Sequence, residues 1–555
     1  MNRKFRERLE RLVEALQTDG ATNPVTLIDQ VCNLIYLKII DEEERNTNSN
    51  DEKTQGKRFK SGSLFVGQAK RYLWSEWSRK RDEDLLAFLK NDVFPYMASL
   101  DREDPQIANY FREIQLKIHD PMLLNKVVSV IDSINFSKLE INVKSETVEY
   151  LLSHFVSPDK FEQYRTPPQI RHLMVEMVAP DFGETIFDPA CGTGGFLIDS
   201  VRYVFAKHQI TKRNVPVSRT TSIEKQRESI GEVAKEIPRR QILHSEFSDR
   251  ISNWKIFENS FYCADVSRAM MRITMTNLML HGIRCANIRR ADSTTTVEGV
   301  NGTLFSREFN VILSYPTIGG LDQASGSKSK RVLAKSGNTE LIFLKCMMKS
   351  LAPGGRCAVI VPDYLLYRST ASYSNLRRRL IENYNVLAVI SLPVNTYWKQ
   401  TVSKRSVIVF CRPTESAQLT AVSIKNEMIW FFEMRAVVPK WDKFTSNKCK
   451  SNSYENDIPE LLASWKIYKE SGFKEPLGVE GEAILTDNSS EQRCWWTTTR
   501  RIAENNFNLM ASRYRPLFLE NYCEHNSTEL IRETLTIQRD ITTGLEQLLQ
   551  KVEES

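Results

Sequence analysis

A chain of 555 residues is too long to close around one ordinary core, so two or three domains are expected. Its 41% hydrophobic and 26% charged residues exclude a disordered chain, and a formal charge of +7 permits a polyanionic partner without requiring one. Ten cysteines with no CxxC pair and no Cys/His cluster at zinc spacing indicate neither a metal site nor a disulfide framework.

Residues 1–8 lack the apolar core of a signal peptide and no run of about 18 apolar residues occurs, so a soluble cytoplasmic protein without membrane contact is expected. Residues 1–155 read as a helical domain without chemistry of its own. Residues 25–40 place apolar side chains at helical spacing, after which the charged run from Glu42 to Arg45 and the Asn/Ser/Asp stretch to Asp51 predict a solvated loop. Further helical patterns lie at 85–89 and 121–134.

Residues 156–417 alternate strand-like runs, at 184–187, 260–264, 309–313, 357–361, 386–391 and 406–410, with helical segments. Such alternation predicts a parallel α/β sheet with helices on both faces and ligands at the carboxyl ends of the strands. The polar, Lys/Arg-rich stretch 206–254 reads as a solvated insertion. A third region, 418–555, ends in an amphipathic helix at 528–552. Its apolar stripes contain Leu530, Ile531, Leu535, Ile537, Ile541, Leu545, Leu548 and Leu549, a pattern that suits partner docking and intramolecular packing equally.

The run from Phe187 through Asp188, Pro189, Ala190, Cys191, Gly192, Thr193, Gly194 and Gly195 to Phe196 reads as a strand ending in an acid, a turn of small residues, and a helix opening at the glycines. Glycine reaches positive φ without strain and lets a ligand approach the main chain. A helix N-terminus offers unpaired N–H groups to a ligand carboxylate or phosphate. Asp265 ends the next strand, where a carboxylate is placed to accept from the two hydroxyls of a ribose. His281, beside Gly282, reads as a helix-end residue rather than a catalytic one.

The turn lacks GxGxxG spacing, but it closely resembles the first motif of adenine-specific DNA methyltransferases. The resemblance extends in order. It takes in Gln163, Tyr164, Arg165, Thr166, Pro167 and Pro168, then residues 350–362, 390–393, 429–435 and 506–514. Together these are similar to the methylation (modification) subunit of type I restriction-modification systems. That resemblance implies a Rossmann-like S-adenosylmethionine-dependent methyltransferase sheet with an amino-terminal helical domain and a carboxy-terminal helical tail. It places S-adenosylmethionine on the turn, with the segment 163–168 folded over it and Asp292 at its adenine; Arg165 stands where the family has Phe.

The family's catalytic Asn-Pro-Pro-aromatic motif follows a strand, and adenine flipped out of the duplex donates its amino hydrogens there. Here Ser314, Tyr315, Pro316, Thr317 and Ile318 occupy that place. One alignment puts Tyr315 at the Asn position and another puts Ser314 there; neither restores the motif. Two readings follow: an adenine-specific methyltransferase subunit, or a pseudo-enzyme serving as a structural, DNA-clamping subunit. Methylation of RNA or protein is a third reading with little in its favour. By resemblance the partners are DNA, a sequence-specificity subunit, a second copy of the chain and, when it joins, a restriction subunit. The setting is the bacterial or archaeal cytoplasm, in anti-phage defence. The basic stretch 325–331 is expected to contact DNA phosphates.

Overall fold

The computed structural model describes residues 3–17, 23–50, 64–139, 141–155, 166–213, 257–284, 287–290, 307–316, 339–393, 404–414, 427–435, 456–473, 493–516 and 527–553. Within these, nine strands form one sheet: β1 (Ile186–Asp188), β2 (Phe261–Asp265), β3 (Asn287–Arg290), β4 (Phe309–Ser314), β5 (Leu351–Pro362), β6 (Asn385–Ser391), β7 (Arg405–Cys411), β8 (Met428–Glu433) and β9 (Cys494–Thr498). Their order is β3-β2-β1-β4-β5-β7-β6-β8-β9.

The strands are apolar on both faces because both faces are covered. Ile186, Phe261, Cys263, Val311, Leu313, Ala358 and Ile360 pack toward the helices Pro168–Val178, Gly195–Arg213 and Ile458–Glu470. Their alternates Phe187, Tyr262, Ala264, Ile312, Cys357, Val359 and Val361 pack toward Thr339–Lys349 and Ala371–Asn383. Phe309 falls on the same side as Ile312 because the β4–β5 register shifts between Phe309 and Val311.

The expected parallel sheet is mixed. β1, β2, β3, β4 and β5 pair in parallel, but β7 runs antiparallel to both β5 and β6, and β9 antiparallel to β8. An antiparallel neighbour needs no crossover helix, so β6 and β7 follow one another directly in the chain. The strands β8 and β9, from beyond residue 417, extend the same sheet.

In the amino-terminal region, helices Arg3–Gln17, Pro24–Asn50, Pro121–Asp132 and Ile141–Phe155 share one core built on Leu9, Leu12, Ile28, Val31, Ile35, Trp74, Trp77, Val127, Ile131 and Leu151. Two of its helices start where sequence chemistry dictates. Asp104 and Asp120 cap Pro105–Phe111 and Pro121–Asp132 by accepting main-chain N–H bonds, each with proline in the first turn.

The loop expected after residue 41 is instead helix as far as Asn50. Its acids are not there for solvation. Asp41 accepts from the Ser75 N–H and hydroxyl at 3.3 and 3.0 Å, and Glu42 accepts the Phe136 and Ser137 N–H groups at 3.2 and 2.7 Å. The helix Arg268–Leu280 belongs to two cores at once, with Leu278 under the sheet and Met270, Ile273, Met279 and Leu280 inside the amino-terminal core.

Candidate active site

The ends of β1, β2 and β4 lie side by side, and their last residues meet. Asp188 is buried, and its Oδ1 accepts from the Ala190 N–H at 3.0 Å and from the Ser314 hydroxyl at 2.8 Å. Burial pushes the Asp188 carboxyl up to about 7 against those two hydrogen bonds, with the charge of Asp265 adding to the rise. Asp265 sits at the next strand end and accepts the Gly192 N–H at 3.2 Å and the Ser267 N–H at 2.8 Å. Burial lifts it to about 6.

Between these acids runs the turn. Gly192 and Gly194 take φ of 52° and 78°, the left-handed region that favours glycine. A Cβ at Gly194 would lie 2.8 Å from Cγ2 of Thr274, and one at Gly195 would lie 2.9 Å from Cζ of Arg171. At these two positions glycine admits protein neighbours. Thr274 donates to the Gly192 carbonyl at 2.6 Å and Asn277 to the Thr193 carbonyl at 3.0 Å, so the helix Arg268–Leu280 holds the turn from behind.

Arg171, on Pro168–Val178, holds it from the other side. Its guanidinium donates to Asp199 on the helix that opens at Gly195, to the Thr166 carbonyl and to Glu149, at 2.7, 2.8 and 2.9 Å. Burial opposes its charge, but Asp199 and Glu149 more than offset this and hold it firmly protonated.

The residues picked from sequence therefore converge in large part. Asp188 bonds Ala190 and Ser314, Asp265 bonds Gly192, and Pro189, Thr193, Gly194 and Gly195 lie along the turn that runs between the two acids. Thr166 is buried and tied to it through Arg171, Pro167 precedes the helix, and Pro168 is its first residue. Gln163, Tyr164, Arg165, Asp292, Thr317, Ile318 and the stretch 325–331 lie outside the described residues. Tyr315 is buried in the core that holds Ile170, Met174 and Leu392, with the Arg405 guanidinium 5.6 Å from its ring centre, and Pro316 is buried beside it.

His281 ends its helix, with Nδ1 2.7 Å from the Asn277 carbonyl and Gly282 following at φ 81°. Burial drives its imidazole down to about 3. Sequence reasoning missed Arg171, Asp199, Thr274 and Asn277. The signal available for the first two was a charged residue inside an otherwise apolar helical run, which a fold retains only when it is paired.

The donor set suits a nucleoside cofactor with an amino-acid end. The Asp265 carboxylate takes main-chain N–H groups of Gly192 and Ser267 on different oxygens and, with about four lone-pair sites in all, keeps acceptor capacity for a ribose hydroxyl. Acids at adjacent strand ends around a glycine turn, on a sheet with antiparallel β7, fit an S-adenosylmethionine-dependent methyltransferase. Residues 140–520 match the N-6 DNA methylase family and residues 6–131 the HsdM N-terminal domain. The chain belongs to that family, as a methylation subunit of the type I restriction-modification kind.

It is 23% identical over 483 residues to the type I restriction enzyme EcoEI methylase subunit of Escherichia coli, covering 82% of this chain and 87% of that protein. It is 21% identical over 441 residues to the EcoKI methylase subunit of Escherichia coli K12, covering 77% and 70%. A solved chain of a type I restriction-modification system superposes with a TM-score of 0.62 at 22% identity, covering 100% of this chain and 99% of that one. The type I methyltransferase subunit from Streptococcus thermophilus gives 0.58 at 14%, covering 92% and 99%.

Proposed function

We propose that this chain binds S-adenosylmethionine and DNA as the methylation subunit of an anti-phage complex, and that transfer to the 6-amino group of adenine is silent. The cofactor, when bound, supplies a methyl group activated on sulfonium. The main chain of residues 188–195 takes its methionine end, Asp265 accepts from its ribose, residues 163–168 cover it, and Asp292 meets its adenine.

The observation that carries the reading is the commitment of both residues that could stand for the catalytic Asn. The Ser314 hydroxyl is spent on Asp188 at 2.8 Å, and the Tyr315 ring is packed in the core beneath Arg405. Neither offers the amide oxygen that would accept from the adenine amino group and build electron density on its nitrogen. Loss of one well-placed polar group costs about a hundred- to a thousand-fold in rate.

The partners follow from the same reading: a specificity subunit that selects the DNA sequence, a second copy of the chain, and a restriction subunit that joins them. The helix Ser527–Glu553 is the docking element. Its Ile531, Leu535, Ile537, Ile541 and Leu545 are 48–61% exposed, too apolar a row for a surface left in water. No described helix is long and apolar enough to cross a membrane, and no group of metal-binding side chains occurs among the described residues.

The test incubates the chain and its specificity subunit with methyl-labelled S-adenosylmethionine and DNA of mixed sequence. Cofactor binding without label in adenine is the expected result. Label in adenine that Gly194→Asp abolishes would sink the silent reading. In the triple variant Tyr315→Asn, Thr317→Pro, Ile318→Phe, transfer is expected to appear.

A further inference from the structure

Arg171 stands where three segments meet, and its geometry is that of a strut. It is 5% exposed, and its three donor nitrogens go to three elements: Nε to Asp199 on the helix that begins at the glycine turn, Nη1 to the Thr166 carbonyl, and Nη2 to Glu149 on Ile141–Phe155. A guanidinium presents its N–H groups in fixed, coplanar directions, so it can span three acceptors that one ammonium nitrogen cannot reach together. The same group lies against the backbone of Gly195, leaving no room for a Cβ there. Any movement of Arg171 is thereby passed to the first residue of the helix under the turn.

Glu149 belongs to the amino-terminal helical region, whose core includes Leu151 and Leu152 on the same helix. A second bridge runs in parallel. Asp29, on Pro24–Asn50, takes both forks of Arg272 at 2.6 Å, and Arg272 shares its helix with Thr274 and Asn277, which hold the turn's carbonyls.

We infer that Arg171 is a positioning residue of the cofactor site and that Glu149 holds it in place, so that affinity for the cofactor's methionine end is set by a carboxylate outside the methyltransferase sheet. This rests on the reading of residues 188–195 as the seat of that methionine end. Removing the charge of Glu149 replaces a charge-assisted hydrogen bond on Nη2 by a weaker neutral one, and the fork then re-aims away from Thr166 or Gly195.

The experiment measures binding of S-adenosylmethionine and of 5′-methylthioadenosine, which lacks the amino-acid end, to the full chain by calorimetry, with melting recorded alongside. Glu149→Gln and Arg171→Lys are expected to weaken S-adenosylmethionine about tenfold while 5′-methylthioadenosine stays within twofold. The inference is overturned if both variants bind S-adenosylmethionine as the unaltered chain does. It is equally overturned if the two ligands weaken together as the melting temperature falls, because that is what loss of a merely structural pair does. Gly194→Asp separates the two levels of the argument. Full S-adenosylmethionine binding by that variant, or none by the unaltered chain, removes the seat itself and the inference with it.

Discussion

Replacing Gly194 by alanine isolates the demand that the turn places on its own backbone. At φ 78° an L-residue pays about 1–2 kcal/mol for the left-handed conformation. The added methyl also meets Thr274 Cγ2 at 2.8 Å, an overpacking worth about 1–3 kcal/mol. Thr274 cannot swing aside, because it is fully buried and its hydroxyl is held by the Gly192 carbonyl at 2.6 Å. The sum, about 2–5 kcal/mol, corresponds to a loss of about thirty- to a few-thousand-fold in affinity if it falls on the cofactor-binding conformation alone. Thr274→Ser removes Cγ2 and keeps the hydroxyl. The double variant Gly194→Ala, Thr274→Ser should therefore regain the overpacking share and retain only the backbone share. Isothermal calorimetry with S-adenosylmethionine, together with urea unfolding of the full chain, divides the cost between binding and stability. If Gly194→Ala binds within threefold of the unaltered chain at unchanged stability, or the double variant regains nothing, the turn is not held as described.

Three further outcomes are expected. Asp188 and Asp265, raised by burial to about 7 and 6, take up protons on folding, so the stability they confer is complete below about pH 4 and is lost as pH rises through 6 to 7. A cationic sulfonium favours their ionised forms, so S-adenosylmethionine affinity should climb between pH 5.5 and 8, and that of the uncharged thioether product should climb less, as calorimetry across that range would report. Ser314→Ala removes a hydrogen bond from a buried carboxylate, and S-adenosylmethionine affinity at pH 7 should fall about tenfold with its midpoint moved to higher pH; an unmoved profile would show that Asp188 is not the titrating group. Deleting residues 527–555 should release the specificity subunit in a pull-down while the melting temperature stays within about 2 °C, because the helix's apolar residues 531, 535, 537, 541 and 545 are already exposed; retained association would refute the docking role.

The strands that seat the site were legible because buried strands are continuous apolar runs, and residues 186–188, 261–265 and 309–314 stand out against their polar surroundings. Strand direction was not legible. An apolar run such as β7 reads the same parallel or antiparallel, and only its insertion between β5 and β6 fixes its sense. The acids Asp188 and Asp265 announced themselves by ending strands, whereas the Ser314–Asp188 bond depends on β1 lying beside β4, a neighbour relation of residues 126 apart in the chain. The helix to Asn50 was misread as ending early because acidic side chains that accept a distant main chain look, in one dimension, like a solvated break. Arg171 was passed over for a similar reason: its three acceptors come from 22 residues before it, 5 before and 28 after.

The place of β7 also bears on how the sheet is made during synthesis. β6 leaves the ribosome before the strand that joins it to β5, so until β7 emerges two apolar edges, those of β5 and β6, face each other with no partner between them. Unpaired edges of that kind template wrong pairings. Nascent chains whose emerged part ends between residues 391 and 405 should therefore be the species most dependent on chaperones, and a ribosome pause at that stage should lower the yield of folded protein more than one made once Cys411 has emerged.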